Sequence, residues 1–159
     1  MFEAALASAL FLAASAPCAT TVCSCTLLAD VEQGVRRTLG WSAAVFVGRV
    51  VQRSDTSISR PAGPRGAEEQ EQLTVVTFTV QQAWKGAEAD TLRLYSRIDT
   101  CDYPFAAGGT YVVFAYSQPG APPLADVSLS TSICSYTTEM CKAATVLAAL
   151  GPPLRGRKS

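Results

Sequence analysis

Apolar and polar residues alternate along several stretches of the chain, which is the pattern of half-buried β-strands. The clearest alternation runs from Leu73 to Trp84, where Val76, Phe78 and Val80 fall on one face and polar residues fall on the other. This spacing predicts one long strand with a single buried face. Further strands are predicted at Ala43–Val51, Thr91–Tyr95, Tyr111–Tyr116 and Leu124–Leu129.

The segment Ala43–Val51 differs from the other predicted strands because it is β-branched and apolar on both faces. A strand of this kind is typical of a sheet that is covered on both sides. We therefore expect a barrel interior on one side of it and a helix on the other. Gly48 indicates a β-bulge, because glycine inside a strand often marks a bend.

Helical spacing of apolar residues occurs at both ends of this β-rich region. Asp30 and Gln33 form a capping-box pattern, and apolar residues then recur at helical spacing up to Gly40. Thr138 is the predicted cap of a second helix, which should end at Gly151. The pattern thus predicts one helix before the strands and one after them.

The stretch Ser54–Gln72 combines prolines and glycines with the glutamates Glu68, Glu69 and Glu71. This composition predicts an exposed loop between the first two strands. Nothing in a flexible loop would bury these carboxylates or separate their pKa values. We therefore assign them no role in acid–base catalysis.

Five strands with a helix on either side predict an all-β domain with flanking helices. The architecture that fits best is a five-stranded OB-like β-barrel, stapled by disulfides. A β-sandwich is the main alternative, but that architecture usually has about seven short strands. The chain shows no internal repeat, so we assign residues 23–151 to one domain and residues 152–159 to a flexible tail.

The region Ala4–Ala16 is a run of thirteen residues without a charge. It fits the apolar core of a signal peptide and is too short to span a bilayer. We assign residues 1–22 to a signal peptide and expect a secreted, extracellular protein without a membrane span. The alternative is a buried amino-terminal helix, in which polar residues would interrupt the apolar run. Small residues at Ala14–Ala16 and Ala19 fit a cleavage point better than the bulky Val22 does.

The six cysteines form an even set, which in an exported protein is usually a disulfide framework. Cys23 and Cys25 are one residue apart and cannot comfortably bridge each other, so we expect each to reach a distant partner. A zinc finger does not fit, because the chain has no histidine and its cysteines lack the usual two-residue gaps. The alternative, a copper(I) thiolate site at these two cysteines, is disfavoured by an oxidising compartment. We expect no cofactor and no metal of the protein's own.

Charge and composition argue against two other classes of function. Thirteen basic and thirteen acidic residues balance, so the basic surface of a nucleic-acid-binding protein is missing. Without histidine the most common general base is missing, and the sequence contains neither a glycine-rich phosphate loop nor a nucleophile elbow. We therefore predict that the protein is not an enzyme. Its aromatic residues Trp41, Trp84, Tyr103 and Phe105 are expected to serve packing.

Several short segments occur in an order and spacing that carry a resemblance to a known family. These segments are Cys23-Ser24-Cys25, Ala43–Val51, Trp84-Lys85-Gly86, Cys101–Phe105, Gly108–Tyr111 and Leu129–Cys134 with Thr137. Together they resemble the netrin-like domain, in the form found in tissue inhibitors of metalloproteinases and their short bacterial relatives. The similarity extends from about Cys23 to Gly151.

The resemblance implies an OB-like barrel whose first residues are held by disulfides. The two bridges that it implies are Cys23–Cys101 and Cys25–Cys134. Each would close a long loop and stabilise the domain by constraining the unfolded chain. Cys18 and Cys141 have no counterpart in the family. Either these two pair with each other, which requires that Cys18 survives processing, or Cys141 is buried on its helix as a small apolar residue.

The function that the resemblance implies is inhibition of a zinc metalloprotease. In such inhibitors, the free α-amino group and the carbonyl oxygen of the first cysteine, here Cys23, chelate the catalytic zinc of the target. Ser24 would enter the protease pocket beside this zinc. The surrounding rim would consist of Asp99, Asp102, Ser130 and Ser132.

A secreted protein-binding module with the same fold and no inhibitory activity is the alternative function. Any residue left in front of Cys23 would convert its amine into an amide, which cannot chelate zinc. The mature amino terminus therefore distinguishes the two functions. Cys23 as the first residue supports inhibition, whereas an extension excludes that mechanism.

Overall fold

The computed structural model describes Cys25, residues 29–62, 67–97 and 101–117, Pro122, Leu124 and residues 126–156. Helices and strands alternate irregularly along this part of the chain. The elements are α1 (Val31–Trp41), β1 (Ala44–Ala62), β2 (Ala67–Lys85), β3 (Thr91–Arg97), β4 (Thr110–Ser117), β5 (Leu129–Ser130), β6 (Thr138–Glu139), a 3-10 turn (Met140–Lys142), α2 (Ala144–Leu150) and β7 (Arg155–Gly156).

Five of these strands form a closed ring of pairings. β1 pairs with β2, β2 with β3, β3 with β5, β5 with β4, and β4 again with β1. Among these pairings β3–β5 is parallel and the other four are antiparallel. β6 pairs with β4 outside the ring, and β7 pairs with β2. The prediction of a β-rich domain with two helices is therefore confirmed.

The ring is apolar on both of its sides. On its inner side, the aromatic rings of Phe46, Phe78, Phe105 and Tyr111 meet edge to face, with centroid separations of 4.9 to 5.6 Å. On the outer side, Val45 of β1 packs in a second cluster with residues of α1 and α2. This arrangement explains why β1 begins with a run that is apolar on both faces.

The predicted bulge at Gly48 is confirmed. The register between β1 and β2 shifts between Val47 and Gly48. A Cβ atom at Gly48 would lie 2.8 Å from Cε2 of Phe46 and 3.1 Å from Cβ of Phe78. A side chain here would collide with two buried aromatic residues, so the bend requires glycine.

The prediction of a loop at Ser54–Gln72 is wrong. β1 and β2 continue through this stretch as an antiparallel hairpin, and each strand is 19 residues long. Ile58 of the hairpin is buried in a small apolar cluster with Leu73 and Tyr95. This part of the hairpin is held mainly by backbone pairing and contains few buried apolar side chains. Its sequence therefore lacks the alternation that predicts a strand.

The two helices differ in how well the sequence predicted their ends. The Asp30 carboxylate caps α1 as predicted, accepting a hydrogen bond of 3.1 Å from the backbone N–H of Gln33. The cap predicted at Thr138 is wrong, because this residue pairs with β4 as part of β6. α2 begins after the 3-10 turn and ends at Gly151 as predicted, where φ is 69°.

The two tryptophans lie in different environments. Trp84 is buried as expected, and its Nε1–H donates a hydrogen bond of 2.9 Å to the carbonyl oxygen of Gly151. Trp41 is 69% exposed, so the prediction that it serves packing is wrong. The guanidinium of Arg37 lies over its ring, 4.6 Å from the centroid.

The carboxyl-terminal residues contribute to the sheet. Arg155 and Gly156 of β7 pair with β2, and Arg155 also forms an ion pair with Asp90. Part of the stretch assigned to a flexible tail is therefore attached to the domain. In the described part of the chain, no helix combines the length and the apolar character that crossing a membrane requires.

Candidate functional site

A disulfide joins the first described residue to the turn after β5. It links Cys25 to Cys134 across 109 positions of sequence, with a Cα–Cα distance of 5.2 Å. This is the pairing that the resemblance implies for these two cysteines. In the loop-entropy account, a bridge that closes a loop of this length stabilises the fold by roughly 4 to 5 kcal/mol. The bridge fastens the start of the domain to one end of the ring.

Cys101 and Cys141 are also disulfide-bonded. Cys141 is exposed on the 3-10 turn, so the alternative of a buried, unbonded thiol is wrong. The implied pairing of Cys23 with Cys101 falls outside the described residues, because Cys23 is not one of them. Cys18, Ser24 and Asp99 also lie outside them.

The turn that carries Cys134 is held by buried hydroxyl groups. Thr131 Oγ1 donates to the carbonyl oxygen of Phe114 at 2.7 Å, and Thr137 Oγ1 accepts from the N–H of the same residue at 3.0 Å. Ser135 Oγ donates to the carbonyl oxygen of Ser132 at 2.6 Å. The three side-chain oxygens lie 2.8 to 2.9 Å from one another. This network attaches the turn to β4 and so positions the disulfide.

Three of the four predicted rim residues come together beside this turn. Asp102 and Ser132 form an isolated antiparallel bridge, and the N–H of Ile133 donates to the carbonyl oxygen of Cys101 at 3.1 Å. Ser130 lies in β5, two residues before Ser132. The segments at 101–102 and 130–133 therefore share one end of the ring.

These rim residues line a cavity of about 150 Å³. Its wall also contains Tyr95 and Arg97 of β3, which the sequence analysis did not identify as site residues. Tyr95 and Ser130 are 1% and 6% exposed. Among the described residues, neither the Tyr95 hydroxyl nor Ser130 Oγ has a hydrogen-bond partner. Both oxygens are enclosed by the protein and expose almost no surface.

Two charged residues, Arg97 and Asp102, line this cavity. Arg97 forms an ion pair with Glu71, and Glu71 is also paired with Arg60 at 2.6 Å. The hydrogen bond to Glu71 is the main cause that raises the pKa of Arg97, and the charge of Asp102 acts in the same direction. Glu71 is therefore part of an ion-pair network that joins the long hairpin to β3.

The segment that follows Asp102 returns into the apolar interior. The ring of Tyr103 lies 4.8 Å from that of Phe105 and 5.6 Å from that of Tyr111, between centroids. Burial raises the pKa of Tyr103 well above its usual value of 10.0, and the nearby charge of Glu139 adds to this effect. Burial also raises the pKa of Tyr111 and of Tyr116. Tyr103 and Phe105 therefore serve packing, as predicted.

The residues at this end of the ring include the hydroxyl groups of Ser130, Thr131 and Ser132. Within the described ranges, no group of three or more His, Cys, Asp or Glu side chains is placed to hold a metal ion. No protein-family model matches this chain, and no curated protein matches it. The function of the chain must therefore be inferred from its own residues.

Proposed function

We propose that the protein is an exported inhibitor of zinc metalloproteases with a netrin-like fold. In this proposal the ring of five strands is an OB-like barrel, which is a five-stranded Greek-key architecture with short flanking helices. The observation that carries the proposal is the Cys25–Cys134 bridge, which fastens the start of the domain beside Asp102, Ser130 and Ser132. An inhibitor that acts through its first residue needs such an anchored start.

Covalent geometry limits how far the proposed chelating group lies from the anchor. Cys23 precedes Cys25 by two residues, and two extended residues span at most about 7 Å. In this proposal the amine and the carbonyl oxygen of Cys23 would act at the end of the ring where the rim lies. Because the anchor restricts this segment before binding, a complex would lose less conformational entropy.

The chemistry of the target fits these two ligands. The catalytic zinc of a metalloprotease has three protein ligands and one open position that normally holds water. An α-amino group has a pKa of about 7.7 to 8.0, so zinc can displace its proton at modest cost near neutral pH. The amine and carbonyl of Cys23 would then replace the water, and Ser24 would occupy the adjoining pocket.

A secreted protein-binding module without zinc chemistry is the second candidate. Two observations favour it. Ala16 and Ala19 suit cleavage better than Val22 does. Cys141 is disulfide-bonded, and with the implied bridges Cys23–Cys101 and Cys25–Cys134 its partner would be Cys18, which a chain that begins at Cys23 lacks. Cleavage at either alanine would leave an extension before Cys23. The same ring and disulfide would then present a surface for another protein.

Sequencing the amino terminus of the exported protein, together with inhibition assays on a panel of zinc metalloproteases, tests the proposal. We expect Cys23 as the first residue and tight inhibition of at least one protease. A mature chain that begins before Cys23 and inhibits none of them would favour the binding module. A chain that remains in the cytoplasm with its leader intact would contradict both candidates.

A further inference from the structure

The long hairpin leaves one edge of β1 without a partner strand. On that edge β1 pairs with β4 from Ala44 to Arg49, and Val50 is hydrogen-bonded to the turn before β4. From Gln52 to Ala62, β1 pairs with β2 on its other edge in an unbroken register. Among the described residues, nothing pairs with the free edge of this segment. Its backbone N–H and C=O groups therefore form a template to which a further strand can add.

The outer part of the hairpin is a two-stranded ribbon. β3 pairs with β2 only from Leu73 to Thr79, so residues 67–72 of β2 pair with β1 alone. A two-stranded hairpin is only marginally stable in water without further strands or a packed face. Ile58 is buried on one face of this ribbon, whereas Ser57 and Ser59 on the other face are exposed. A strand added at the free edge of β1 would therefore stabilise the ribbon.

The two edges of the ribbon differ in charge. The β2 edge carries Glu68, Glu69 and Glu71, so a second copy of this edge would meet like charges. Edge strands are commonly protected by charges, by proline or by a bulge. Between Gln52 and Arg60 the β1 edge has no proline, no lysine and no shift in register, and four of its side chains are serine or threonine. The β1 edge is therefore the one that is open to a second strand.

The charges along the β1 edge are compatible with a second copy of the same edge. Most dimers have a twofold axis, which pairs an edge strand with its own copy in antiparallel orientation. Pairing that uses the whole segment Gln52–Ala62 of both copies places Ser57 opposite Ser57 of the second copy. In this register Arg53, Asp55 and Arg60 each lie opposite an uncharged residue. No like charges therefore oppose the pairing.

We propose that the protein forms a twofold dimer through antiparallel pairing of β1 with β1 of a second copy, centred on Ser57. This pairing joins the two ribbons into one sheet of four strands and satisfies the backbone groups of both free edges. The inference does not depend on inhibition of a protease, because the interface uses none of the rim residues Asp102, Ser130 and Ser132.

Analytical ultracentrifugation of the full, disulfide-bonded protein over a range of concentrations tests this proposal. The wild type should form a dimer as its concentration rises. Ser57→Lys and Ser57→Glu each place like charges directly opposite at the twofold axis, so each variant alone should dimerise about fivefold more weakly. An equimolar mixture of the two variants should recover the dimer, because lysine then faces glutamate. Gln72→Lys is the matched control, because Gln72 is exposed and pairs directly with Ser57 but lies on β2, one strand away from the interface.

Recovery of the dimer on mixing also shows that both variants are folded. A wild type that stays monomeric at every concentration would overturn the proposal and leave the edge to a strand of another protein. Dimers that persist unchanged in both Ser57 variants, or that weaken equally in Gln72→Lys, would overturn this interface. A monomer that inhibits a protease would contradict the dimer alone, whereas a dimer that inhibits none would contradict the proposed function alone.

Discussion

The aromatic carbon Cζ of Tyr136 lies 2.6 Å from the position that a Cβ atom on Gly34 would occupy. Gly34 is buried in α1, and Tyr136 lies between Ser135 and Thr137 of the hydroxyl network that holds the turn of Cys134. Tyr136 has a φ of 61°, in the left-handed region that non-glycine residues seldom adopt. The helix and the disulfide-bearing turn therefore meet at a contact that leaves no room for a methyl group.

The substitution Gly34→Ala should lower the free energy of unfolding by about 1 to 2 kcal/mol. Overpacking against Tyr136 costs about 1 to 3 kcal/mol, and the better helix propensity of alanine offsets up to about 1 kcal/mol of this. Gly40→Ala is the matched control in the same helix, because a Cβ atom there would meet nothing within 4 Å. Urea denaturation should show this control to be slightly stabilised. Equal effects of the two substitutions would contradict the tight contact.

The hydroxyl network should be a main source of stability for the turn after β5. Thr137→Val keeps the shape of the side chain but removes the acceptor for the N–H of Phe114. A buried donor without a partner costs about 1 to 3 kcal/mol, so we expect a loss of this size in thermal or urea unfolding. Thr79→Val on the partly exposed face of β2 should change stability by less than about 0.5 kcal/mol. A loss no larger than that of the control would show that the network contributes little.

Stability should fall as the pH rises above about 10. Burial raises the pKa of Tyr103, Tyr111 and Tyr116 in the folded protein, so these residues keep their protons at a pH where the unfolded chain has lost them. The unfolded state then binds fewer protons, and rising pH favours unfolding. Below the unfolded pKa of about 10, the contribution is fully present. Urea denaturation at a series of alkaline pH values measures the slope.

The variant Tyr103→Phe should reduce this alkaline slope, because it removes one of the three titrating groups. The substitution also removes the contacts of the hydroxyl group and therefore changes the stability at pH 7. The variant and the wild type are compared only by the slope of stability against pH. An unchanged slope would mean that Tyr103 titrates normally in the folded state.

Removal of the described disulfide should destabilise the domain strongly. In the double variant Cys25→Ala/Cys134→Ala, the free energy of unfolding should fall by about 2 to 5 kcal/mol, because the unfolded chain gains the freedom of a long loop. Non-reducing peptide mapping of the wild type should recover the linked pair. Recovery of both thiols in the free form would contradict the anchored start.

Local sequence patterns predicted the elements that pack on the apolar interior. β2 was recognisable because Val76, Phe78 and Val80 all face the inside of the ring. The outer part of the β1–β2 hairpin was not recognisable. Its side chains between Ser54 and Gln72 are mostly polar on both faces, and backbone pairing holds its strands together. Alternation of apolar and polar residues reflects the burial of one face of a strand. A strand that buries few side chains therefore shows little alternation in its sequence.

The candidate site depended on pairings between distant parts of the chain. The resemblance pointed to Asp102, Ser130 and Ser132, which the structure brings to one end of the ring. Tyr95 and Arg97 were missed, because the parallel pairing of β3 with the two-residue strand β5 brings them there. Such a short strand has no periodicity of its own, and no local pattern specifies its neighbour.

The proposed inhibition depends on binding of the target protease's zinc by the amine of Cys23. The most direct measurement compares inhibition constants for two forms of the folded protein, one that begins at Cys23 and one with a single alanine added before it. We expect tight inhibition by the first form and a loss of at least a hundredfold, about 2.7 kcal/mol, in the second. Equal inhibition by both forms, or by neither, would contradict it.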